Sequence, residues 1–341
     1  MGGIERASST IANEISEKGH NVIYFAMFRR SRFFDLNPNV IFDEQTDGSN
    51  VKSLNFVKTL QRIRKQVKNY QPDVILAYNK FYASLTLLAL VGTKNKIFIS
   101  ERSSPFFRWP MKLRLINRLA YFVNPPKGII AQTNIAAEYQ RKEYGQNVAI
   151  EVIPNALRTV TLYPETERKK QVLAVGRLGD YLKGFDRLIE AFGAIDAPDW
   201  KLVIAGGDKP VDLMLLADKY NLGNRIQFLG KVRDIDQVYA ESSIFVIPSR
   251  GEGFPNALCE AMAAGLPCIA FDFVAGPRDI ITDQVDGIIV PDNDISAMTD
   301  AISLLINSPE KRNELGINAR KIVERLDKDI VGKKVLDFIL E

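Results

Sequence analysis

The sequence predicts an α/β protein made of two doubly wound domains, each built on a mostly parallel sheet. Short apolar runs of strand length alternate with helical stretches along most of the chain, which is typical of parallel strands joined by crossover helices. A polar stretch that continues to Lys170 separates two such series. The 341 residues also suffice for two domains of ordinary size.

The first series opens with a helical stretch that ends at Gly19-His20. His20 is the single histidine of the chain, and its place in a Gly-His turn favours a structural role over a catalytic one. Strands and helices alternate after this turn. The predicted strands are Asn21–Met27, Val74–Ala77, Lys96–Ser100 and Gly128–Gln132, and the predicted helices are Asn55–Asn69, one from near Phe81, and Leu113–Phe122.

The second series follows the polar stretch and repeats the alternation. We expect domain boundaries at 1–153 and 154–326, with a last helix, 327–341, packing back on the first domain. The predicted strands are Val172–Val175, Lys201–Ala205, Ile226–Phe228, Ile244–Ile247 and Cys268–Ala270; the predicted helices are Phe185–Phe192, Asp212–Tyr220, Ile235–Glu241, one containing Glu260, and three near 276–282, 295–306 and 309–325.

The stretch Pro248–Pro267 reads PSRGEGFPNALCEAMAAGLP and follows an apolar strand. Glu252 lies in its glycine-rich loop, and Pro255 suits the first position of a helix that contains Glu260, eight positions later. A helix N-terminus presents unpaired N–H groups and binds anions. A carboxylate beside such a site is suited to holding sugar hydroxyls, because it accepts two hydrogen bonds from a diol.

Two permanent cations lie on one predicted strand-to-helix loop. Gly176-Arg177 ends a strand, and Lys183-Gly184 opens the next helix. Gly206-Gly207-Asp208, after another strand, permits close backbone approach to a ligand. The chain has no GxGxxG sequence, which argues against a dehydrogenase.

Two motifs carry a family resemblance that spans nearly the whole chain. Glu252-Gly-Phe-Pro-Asn-Ala-Leu-Cys-Glu260 resembles the E-x7-E signature of glycosyltransferase family 4, a group of retaining sugar-nucleotide transferases with the GT-B fold. Gly176-Arg177 with Lys183-Gly184 resembles the G-R-x(n)-K-G motif of the same family. The resemblance implies two Rossmann-like domains that face each other across a cleft.

The resemblance also implies roles for single residues. Arg177 and Lys183 would contact the donor diphosphate, Glu252 the donor sugar, and Glu260 the ribose hydroxyls. Preplaced cations would stabilise the charge that a departing diphosphate gains in the transition state. Glu252, Arg177 and Lys183 form the implied catalytic group; the implied donor-binding residues are Gly3, Arg177, Lys183, Val232, Glu252, Gly253, Phe254, Pro255, Asn256, Ala257 and Glu260.

On the acceptor side, Ser100-Glu101-Arg102-Ser103 ends a predicted strand. Many relatives have a histidine in this loop, whereas this chain has Arg102, so we assign Glu101 and Arg102 to binding of the acceptor or a phosphate. Without a histidine base, a donor phosphate oxygen would take the acceptor proton on the face from which the leaving group departs. Asn155 corresponds to an Asn that often borders the cleft. We expect neither a cofactor nor a metal.

The overall charge of +4 conceals an asymmetry. Residues 1–150 contain 22 Lys and Arg against 11 Asp and Glu, which suggests a polyanionic partner such as an anionic membrane surface. Aromatic and basic residues alternate in 105–115, which suits a membrane interface. A core-facing helix with a solvated basic side explains this segment equally well. No motif supports nucleic-acid binding.

Composition limits the cellular setting. No apolar run reaches the ~18 residues of a membrane span, and the N-terminus lacks the pattern of a signal peptide. Two cysteines, Cys259 and Cys268, are too few for a disulfide framework or a zinc site. We therefore expect a cytoplasmic protein, peripheral at the inner face of the cell membrane.

The function expected from these observations is retaining, metal-independent transfer of a hexose or N-acetylhexosamine. The donor would be a nucleoside diphosphate sugar and the acceptor a glycan or lipid-linked glycan. Gly2-Gly3-Ile4-Glu5-Arg6 with Ile99–Ser103 resembles bacterial enzymes that build surface polysaccharides. Two alternatives stay open: a non-catalytic relative that binds a glycan or partner, and a GT-B sugar-nucleotide epimerase.

Relatives in this family begin with an apolar strand before the glycine loop, whereas here Gly2-Gly3 directly follows Met1. We expect that a central strand is missing from 1–341. Such a strand is buried on both faces. The first-domain sheet should then be interrupted between the strand at 21–27 and the strand near 74–77.

Overall fold

The computed structural model describes residues 3–28, 34–44, 55–104, 109–145, 147–207, 211–274 and 276–341. The chain divides into two compact units. Unit 1 comprises Met1–Ala156 and Leu326–Glu341, and unit 2 comprises Leu157–Arg325. Every strand pairing described within the two units is parallel, so the predicted α/β fold class is confirmed.

Unit 1 contains short strands and helices. Its last helix comes from the C-terminal end of the chain, after the chain has passed through unit 2. Its strands are β1 (Ile23–Ala26), β2 (Ile41–Glu44), β3 (Val74–Tyr78), β4 (Lys96–Ser100), β5 (Gly128–Ala131) and β6 (Ala149–Val152). Its helices are α1 (Gly3–Glu17), α2 (Phe56–Tyr70), α3 (Lys80–Ala89), α4 (Met111–Val123), α5 (Asn134–Tyr144) and α13 (Lys328–Leu340).

The sheet of unit 1 is split. Strands β1 and β2 form a parallel pair, whereas β3, β4, β5 and β6 form a separate sheet in that order. Among the described residues, no strand joins β1 to β3. The expected interruption between these two strands is confirmed; that a strand is missing from the chain stays a prediction.

Helix α13 completes the core of unit 1. Val335 and Ile339 pack in one apolar cluster with Ile130 of β5 and Ile11 of α1. A Cβ added at Gly332 would lie 3.0 Å from the Cβ of Glu14, so the absence of a side chain lets α13 approach α1 closely. Helices α1 and α13 therefore form one layer against the four-stranded sheet.

Unit 2 has one continuous parallel sheet with helices between its strands. Its strands are β7 (Gln171–Val175), β8 (Lys201–Ala205), β9 (Ile226–Gly230), β10 (Ile244–Ile247), β11 (Cys268–Phe271) and β12 (Ile288–Val290). Its helices are α6 (Phe185–Gly193), α7 (Val211–Lys219), α8 (Ile235–Glu241), α9 (Asn256–Ala263), α10 (Ile295–Asn307), α11 (Pro309–Ala319) and α12 (Ile322–Arg325).

The strand order of this sheet, β12-β11-β10-β7-β8-β9, reverses direction between β7 and β10. The chain moves outward from β7 to β9 on one side and from β10 to β12 on the other. Ligands of doubly wound sheets bind at such a reversal, beyond the carboxyl ends of the strands. The loops that follow β7 and β10 are neighbours at that point, and they contain the two motifs found in the sequence.

Two helix predictions in unit 2 are wrong in part. The helix near 276–282 is a single 3₁₀ turn, Pro277–Asp279. The helix does not continue, because the Thr282 N–H donates to the Asp286 carboxylate at 2.7 Å instead of to a carbonyl of the preceding turn. The helix at 309–325 is broken into α11 and α12, because the backbone at their junction changes to tighter i to i−3 hydrogen bonds.

Two expectations from composition can be checked in the described part of the chain. Cys259 and Cys268 are buried free thiols, and burial raises the pKa of both. None of the helices there is long and apolar enough to cross a membrane.

The packing of α13 generates a test with adjacent residues. Ile339 is 5% exposed and Leu340 is 50% exposed. Ile339→Ala should lower the free energy of unfolding by about 2–4 kcal/mol, because it leaves a cavity in the unit 1 core. Leu340→Ala should change it by less than about 0.5 kcal/mol. Urea unfolding followed by circular dichroism measures both, and equal losses would contradict this packing.

Candidate active site

The candidate site is built on the two loops at the strand reversal of unit 2. We call residues 176–184 the β7 loop and residues 248–255 the β10 loop. Each follows the carboxyl end of a buried strand, and β7 and β10 are hydrogen-bonded neighbours. Side chains on the two loops therefore meet at one edge of the sheet, although they are far apart in the sequence.

Close backbone contact holds the two loops together. Gly184 has a φ of +65°, and a Cβ placed there would lie 2.0 Å from the carbonyl oxygen of Pro248. Only glycine fits this position without displacing the β10 loop. The backbone N–H of Arg250 also donates to the Leu182 carbonyl at 2.7 Å. The two loops thus behave as one structural element.

Two arginines reinforce this contact. Arg187 on α6 is 3% exposed and donates to the carbonyls of Pro248 and Ser249 at 2.7 and 2.6 Å. Arg250 pairs with Asp186 at 2.7 and 2.5 Å and lies 4.0 Å from the ring centroid of Tyr181. The hydrogen bond to Asp186 raises the pKa of Arg250. Both arginines therefore stabilise contacts between the β10 loop and α6, which follows the β7 loop.

Lys183 and Glu252 meet where the two loops converge. The ammonium of Lys183 donates to both carboxylate oxygens of Glu252, at 2.7 and 2.9 Å. The hydroxyl of Ser249 donates to Glu252 Oε1 at 2.7 Å. The side chains of Lys183 and Glu252 are 20% and 12% exposed. The site therefore contains a cation and a carboxylate that are largely shielded from solvent yet still accessible.

Arg177 occupies the same loop but a different environment. Its side chain is 73% exposed and pairs with Asp180 at 2.6 Å. Asp180 also accepts the Leu182 N–H at 3.1 Å, so it fixes the turn that carries Lys183. Arg177 is therefore a far more exposed cation than Lys183, and a ligand anion would compete with Asp180 for it.

The β10 loop leads directly into α9. Pro255 is the N-cap residue rather than the first helical residue, which corrects the predicted start by one position. Pro255 supplies no side-chain hydrogen bond to this end of the helix. Phe254 is buried, whereas Gly253 and Asn256 are half-buried. The N-terminus of α9 thus lies beside Glu252, in a position suited to an anion.

Glu260 lies within α9 and is 6% exposed. Its Oε2 accepts from the guanidinium of Arg158 at 3.0 Å and from the hydroxyl of Tyr239 at 3.4 Å. Burial disfavours the charge of Arg158, but hydrogen bonds to Asp236 and Glu260 outweigh it and raise the pKa of Arg158. Burial, and then the charge of Glu260, raises the pKa of Tyr239.

The loops after β8 and β9 lie beside the β7 loop. Gly206 has a φ of +116°, and a Cβ there would lie 2.4 Å from the Gly176 carbonyl oxygen. The Gly206 N–H donates to the Gly230 carbonyl at 2.7 Å. Val232, two residues beyond, is half-buried. These glycines allow three strand ends to approach closely and place backbone groups at the same edge.

In unit 1, the predicted acceptor-side residues follow β4. Arg102 is 7% exposed and donates to the Ser100 hydroxyl at 2.7 Å and to the Asn155 side-chain oxygen. Gln132 donates to the same Asn155 oxygen at 2.7 Å. Burial lowers the pKa of Arg102 and raises that of Glu101. Arg102 and Asn155 thus connect the ends of β4 and β6.

Two family models match the chain and together cover nearly all of it. Glycosyltransferase Family 4 matches residues 1–160, and Glycosyl transferases group 1 matches residues 163–322. The chain belongs to glycosyltransferase family 4. As a member of this family it transfers a sugar from a nucleotide sugar. The division between the two models falls close to the division between unit 1 and unit 2.

Similar proteins agree with the family. The chain is 27% identical to an uncharacterized glycosyltransferase of Haemophilus influenzae, over 95% of this chain and 92% of the relative. It is 25% identical to a Campylobacter jejuni α-1,4-N-acetylgalactosaminyltransferase that acts on a diphosphoundecaprenol-linked glycan, over 100% and 95%. Anabaena HepE with UDP and glucose superposes with a TM-score of 0.83 at 16% identity, covering 100% and 96%. The predicted GT-B fold is confirmed.

The structure locates the remaining predicted residues of this glycosyltransferase. Gly3 is the first residue of α1, and Ala257 lies in the first turn of α9. His20 is exposed in the turn after α1, where its backbone N–H donates to the Ile15 carbonyl at 3.3 Å. Gly2, Asp208 and residues 105–108 lie outside the described residues. That the predicted donor-binding and acceptor-side residues bind these ligands stays a prediction.

Sequence reasoning missed several residues that organise the site. Ser249 had a local signal, since a hydroxyl three residues before Glu252 can reach its carboxylate. Arg158 and Asp236 had none, because Arg158 and Glu260 are separated by 102 residues. Arg187 and Arg250 looked like ordinary surface cations. Their partners depend on which strands become neighbours.

The close contact of the two loops can be tested with two glycines of one loop. Gly184→Ala should lower stability by about 1–3 kcal/mol, because it forces a strained backbone and a clash. It should also reduce transfer by separating Lys183 from Glu252. Gly179→Ala is the matched control, because a Cβ there meets nothing within 4 Å. Thermal unfolding and transfer rates measure both effects; a harmless Gly184→Ala would contradict this contact.

Proposed function

We propose that this glycosyltransferase transfers a hexose or N-acetylhexosamine, with retention, from a nucleoside diphosphate sugar to a glycan or lipid-linked glycan. The observation that carries the proposal is the contact of Lys183 with both oxygens of Glu252 at the strand reversal of unit 2. It supports the proposal because a cation suited to a diphosphate and a carboxylate suited to sugar hydroxyls lie 2.7 and 2.9 Å apart. The fold puts both beside the N-terminus of α9.

The proposed reaction follows from these charges. The bond between the sugar anomeric carbon and the diphosphate oxygen breaks, and the diphosphate takes the bonding electrons. Lys183 and Arg177 stabilise that charge. The acceptor oxygen bonds to the anomeric carbon on the face from which the diphosphate departs. Its proton passes to the departing phosphate oxygen, so no protein base is needed, and Glu252 holds the sugar hydroxyls throughout.

Neither a metal nor a cofactor has a role in this proposal. Lys183 and Arg177 would neutralise the diphosphate charge that a metal ion could otherwise neutralise. Backbone N–H groups at the start of α9 supply further positive potential. Val232, in the loop after β9, would border the nucleotide base through its backbone. Gly3, the first residue of α1, is also proposed to bind the donor.

The acceptor proposal depends on unit 1 and on the relatives. The Campylobacter relative acts on a glycan joined to undecaprenol through a diphosphate, which supports a lipid-linked acceptor. The buried guanidinium of Arg102 has neutral hydrogen-bond acceptors, Ser100 and Asn155. We assign Glu101 and Arg102 to the acceptor side, where the guanidinium of Arg102 would bind a phosphate of the acceptor.

Helix α4 supports association with a membrane surface. Met111, Leu115, Leu119 and Phe122 are 71, 61, 54 and 86% exposed, and their spacing puts them on one face. The basic side chains of Lys112, Arg114 and Arg118 are exposed on the same helix, which has no acidic residue. An apolar face flanked by cations is the pattern of a helix that lies in the interface of an anionic bilayer. The face would bring the enzyme to a lipid-linked acceptor.

The donor assignment predicts a large loss of turnover on removing its charges. Lys183→Ala, Glu252→Ala and Arg177→Ala should each lower turnover at saturating donor by about 100-fold or more. Glu260→Ala should chiefly weaken nucleotide binding. A panel of nucleotide sugars with and without a glycan acceptor, assayed in EDTA, measures donor hydrolysis and transfer. The same assay distinguishes an active transferase from a non-catalytic relative that only binds a glycan or a partner.

The control for this set is Lys201→Ala, an exposed lysine at the start of β8, at the opposite edge of the sheet. It should keep wild-type turnover. Wild-type turnover in Lys183→Ala would exclude the donor assignment.

The membrane proposal predicts that exposed apolar residues of α4 contribute to vesicle binding. Leu115→Ser and Phe122→Ser should each weaken binding to phosphatidylglycerol-containing vesicles about ten-fold or more, because each removes about 1.5–3 kcal/mol of apolar burial. Binding should also fall as salt rises. Leu304→Ser, at a 48% exposed leucine of unit 2, is the control. Equal binding to neutral and anionic vesicles would count against the proposal.

A further inference from the structure

Arg158 lies between two carboxylates that come from different helices of unit 2. It donates to Asp236, in the first turn of α8, through Nη1 at 2.9 Å and through Nη2. The same Nη2 donates to Glu260 of α9 at 3.0 Å. The side chains of Arg158, Asp236 and Glu260 are 22, 9 and 8% exposed. The three charges therefore form one largely buried cluster.

Asp236 fixes the orientation of Arg158 within this cluster. Both of its oxygens accept from the guanidinium, which is the two-point geometry that gives an arginine a defined plane. Asp236 also accepts the Thr161 N–H at 2.8 Å. Burial raises the pKa of Asp236, but its hydrogen bonds with Arg158 and Thr161 outweigh burial and lower it. The carboxylate is thus held in place and charged.

Arg158 in turn fixes Glu260. The contacts of Glu260 with Arg158 and with the Tyr239 hydroxyl both reach Oε2. Two donors on one oxygen restrain the rotation of a carboxylate, so these contacts set the orientation of Glu260. A buried carboxylate is costly unless a cation compensates it. Arg158, in the segment that precedes β7, supplies the positive charge that compensates Glu260.

We propose that Arg158 is a positioning residue that orients Glu260 toward the ribose hydroxyls of the donor nucleotide, with Asp236 holding Arg158 in place. The inference rests on the proposed function, in which Glu260 binds the ribose. Discrimination between ribose and 2′-deoxyribose would then depend on Arg158, which acts on the nucleotide only through Glu260. Removing Arg158 should therefore weaken nucleotide binding more than it slows transfer.

The test compares binding of UDP, GDP, ADP and CDP with that of their 2′-deoxy forms by calorimetry. A hydrogen bond to a charged group should give the wild type a preference for ribose of about ten-fold or more. Glu260→Gln should lose most of this preference. Arg158→Gln should lose it too, and should raise the donor KM while leaving kcat within about two-fold. Arg158→Gln combined with Glu260→Gln should lower the preference no further than Glu260→Gln alone.

Two further variants separate positioning from general stability. Tyr163→Phe is the control, because the Tyr163 hydroxyl donates to Asp234 at 2.5 Å and ties the same segment to α8 without contacting Glu260. It should keep the wild-type preference. Arg158→Lys keeps the charge but not the two-point geometry, so it should show an intermediate preference. This variant also carries the test if Arg158→Gln does not fold.

The outcomes distinguish the inference from the function on which it rests. A wild-type preference in Arg158→Gln or Arg158→Lys, with the preference lost in Glu260→Gln, would overturn the role of Arg158 alone. A preference retained in Glu260→Gln would overturn both this inference and the ribose role of Glu260. If the wild type bound none of the diphosphates, the proposed donor chemistry itself would be wrong.

Discussion

The approach of Gly184 to the carbonyl of Pro248 is the contact on which the candidate site depends. It joins the loop after β7 to the loop after β10, and the proposed donor residues Lys183 and Glu252 lie on either side of it. Nothing in either loop alone would bring these side chains together. A parallel sheet brings neighbouring strand ends together, but the positive φ of a glycine allows the final approach of the two backbones.

The arginines around the contact of Gly184 with Pro248 differ in their partners and in their exposure to solvent. Arg187 is buried against Phe271, with its guanidinium 4.2 Å from the ring centroid, and donates to two backbone carbonyls and to Asp292. These contacts offset much of the cost of burying a cation, while the Arg187 Nε is buried without a hydrogen-bond partner among the described residues. These arginines stabilise the loops through fixed internal partners, whereas the exposed Arg177 stays accessible to an anion. The site therefore contains both arginines that hold its loops in place and an arginine that is exposed to solvent.

The sequence predicted the parts of the site that are local and missed those that are not. The positions of Glu252 in a loop and Glu260 in the following helix follow from turn and helix signals within twenty residues. The contacts Arg158–Glu260 and Arg187–Pro248 depend on strand order, which no local pattern encodes. The elements that the sequence did not predict are short or polar. β2, β6 and β12 are strands of four, four and three residues, and α5 has a polar sequence whose start is marked chiefly by the Thr133 cap.

The buried arginines of the two units have different hydrogen-bond partners, carboxylates in unit 2 and neutral oxygens in unit 1. In unit 2, Arg158, Arg187 and Arg250 each contact a carboxylate, so their charges are largely compensated within the unit. In unit 1, Arg102 is buried on the neutral oxygens of Ser100 and Asn155. Its charge therefore adds to the excess of basic residues in 1–150, in which α4 has no acidic residue. A field of one sign concentrates anionic ligands near a surface. The proposed anionic lipid surface and the proposed lipid-linked acceptor would thus be attracted to the same unit by its excess of basic residues.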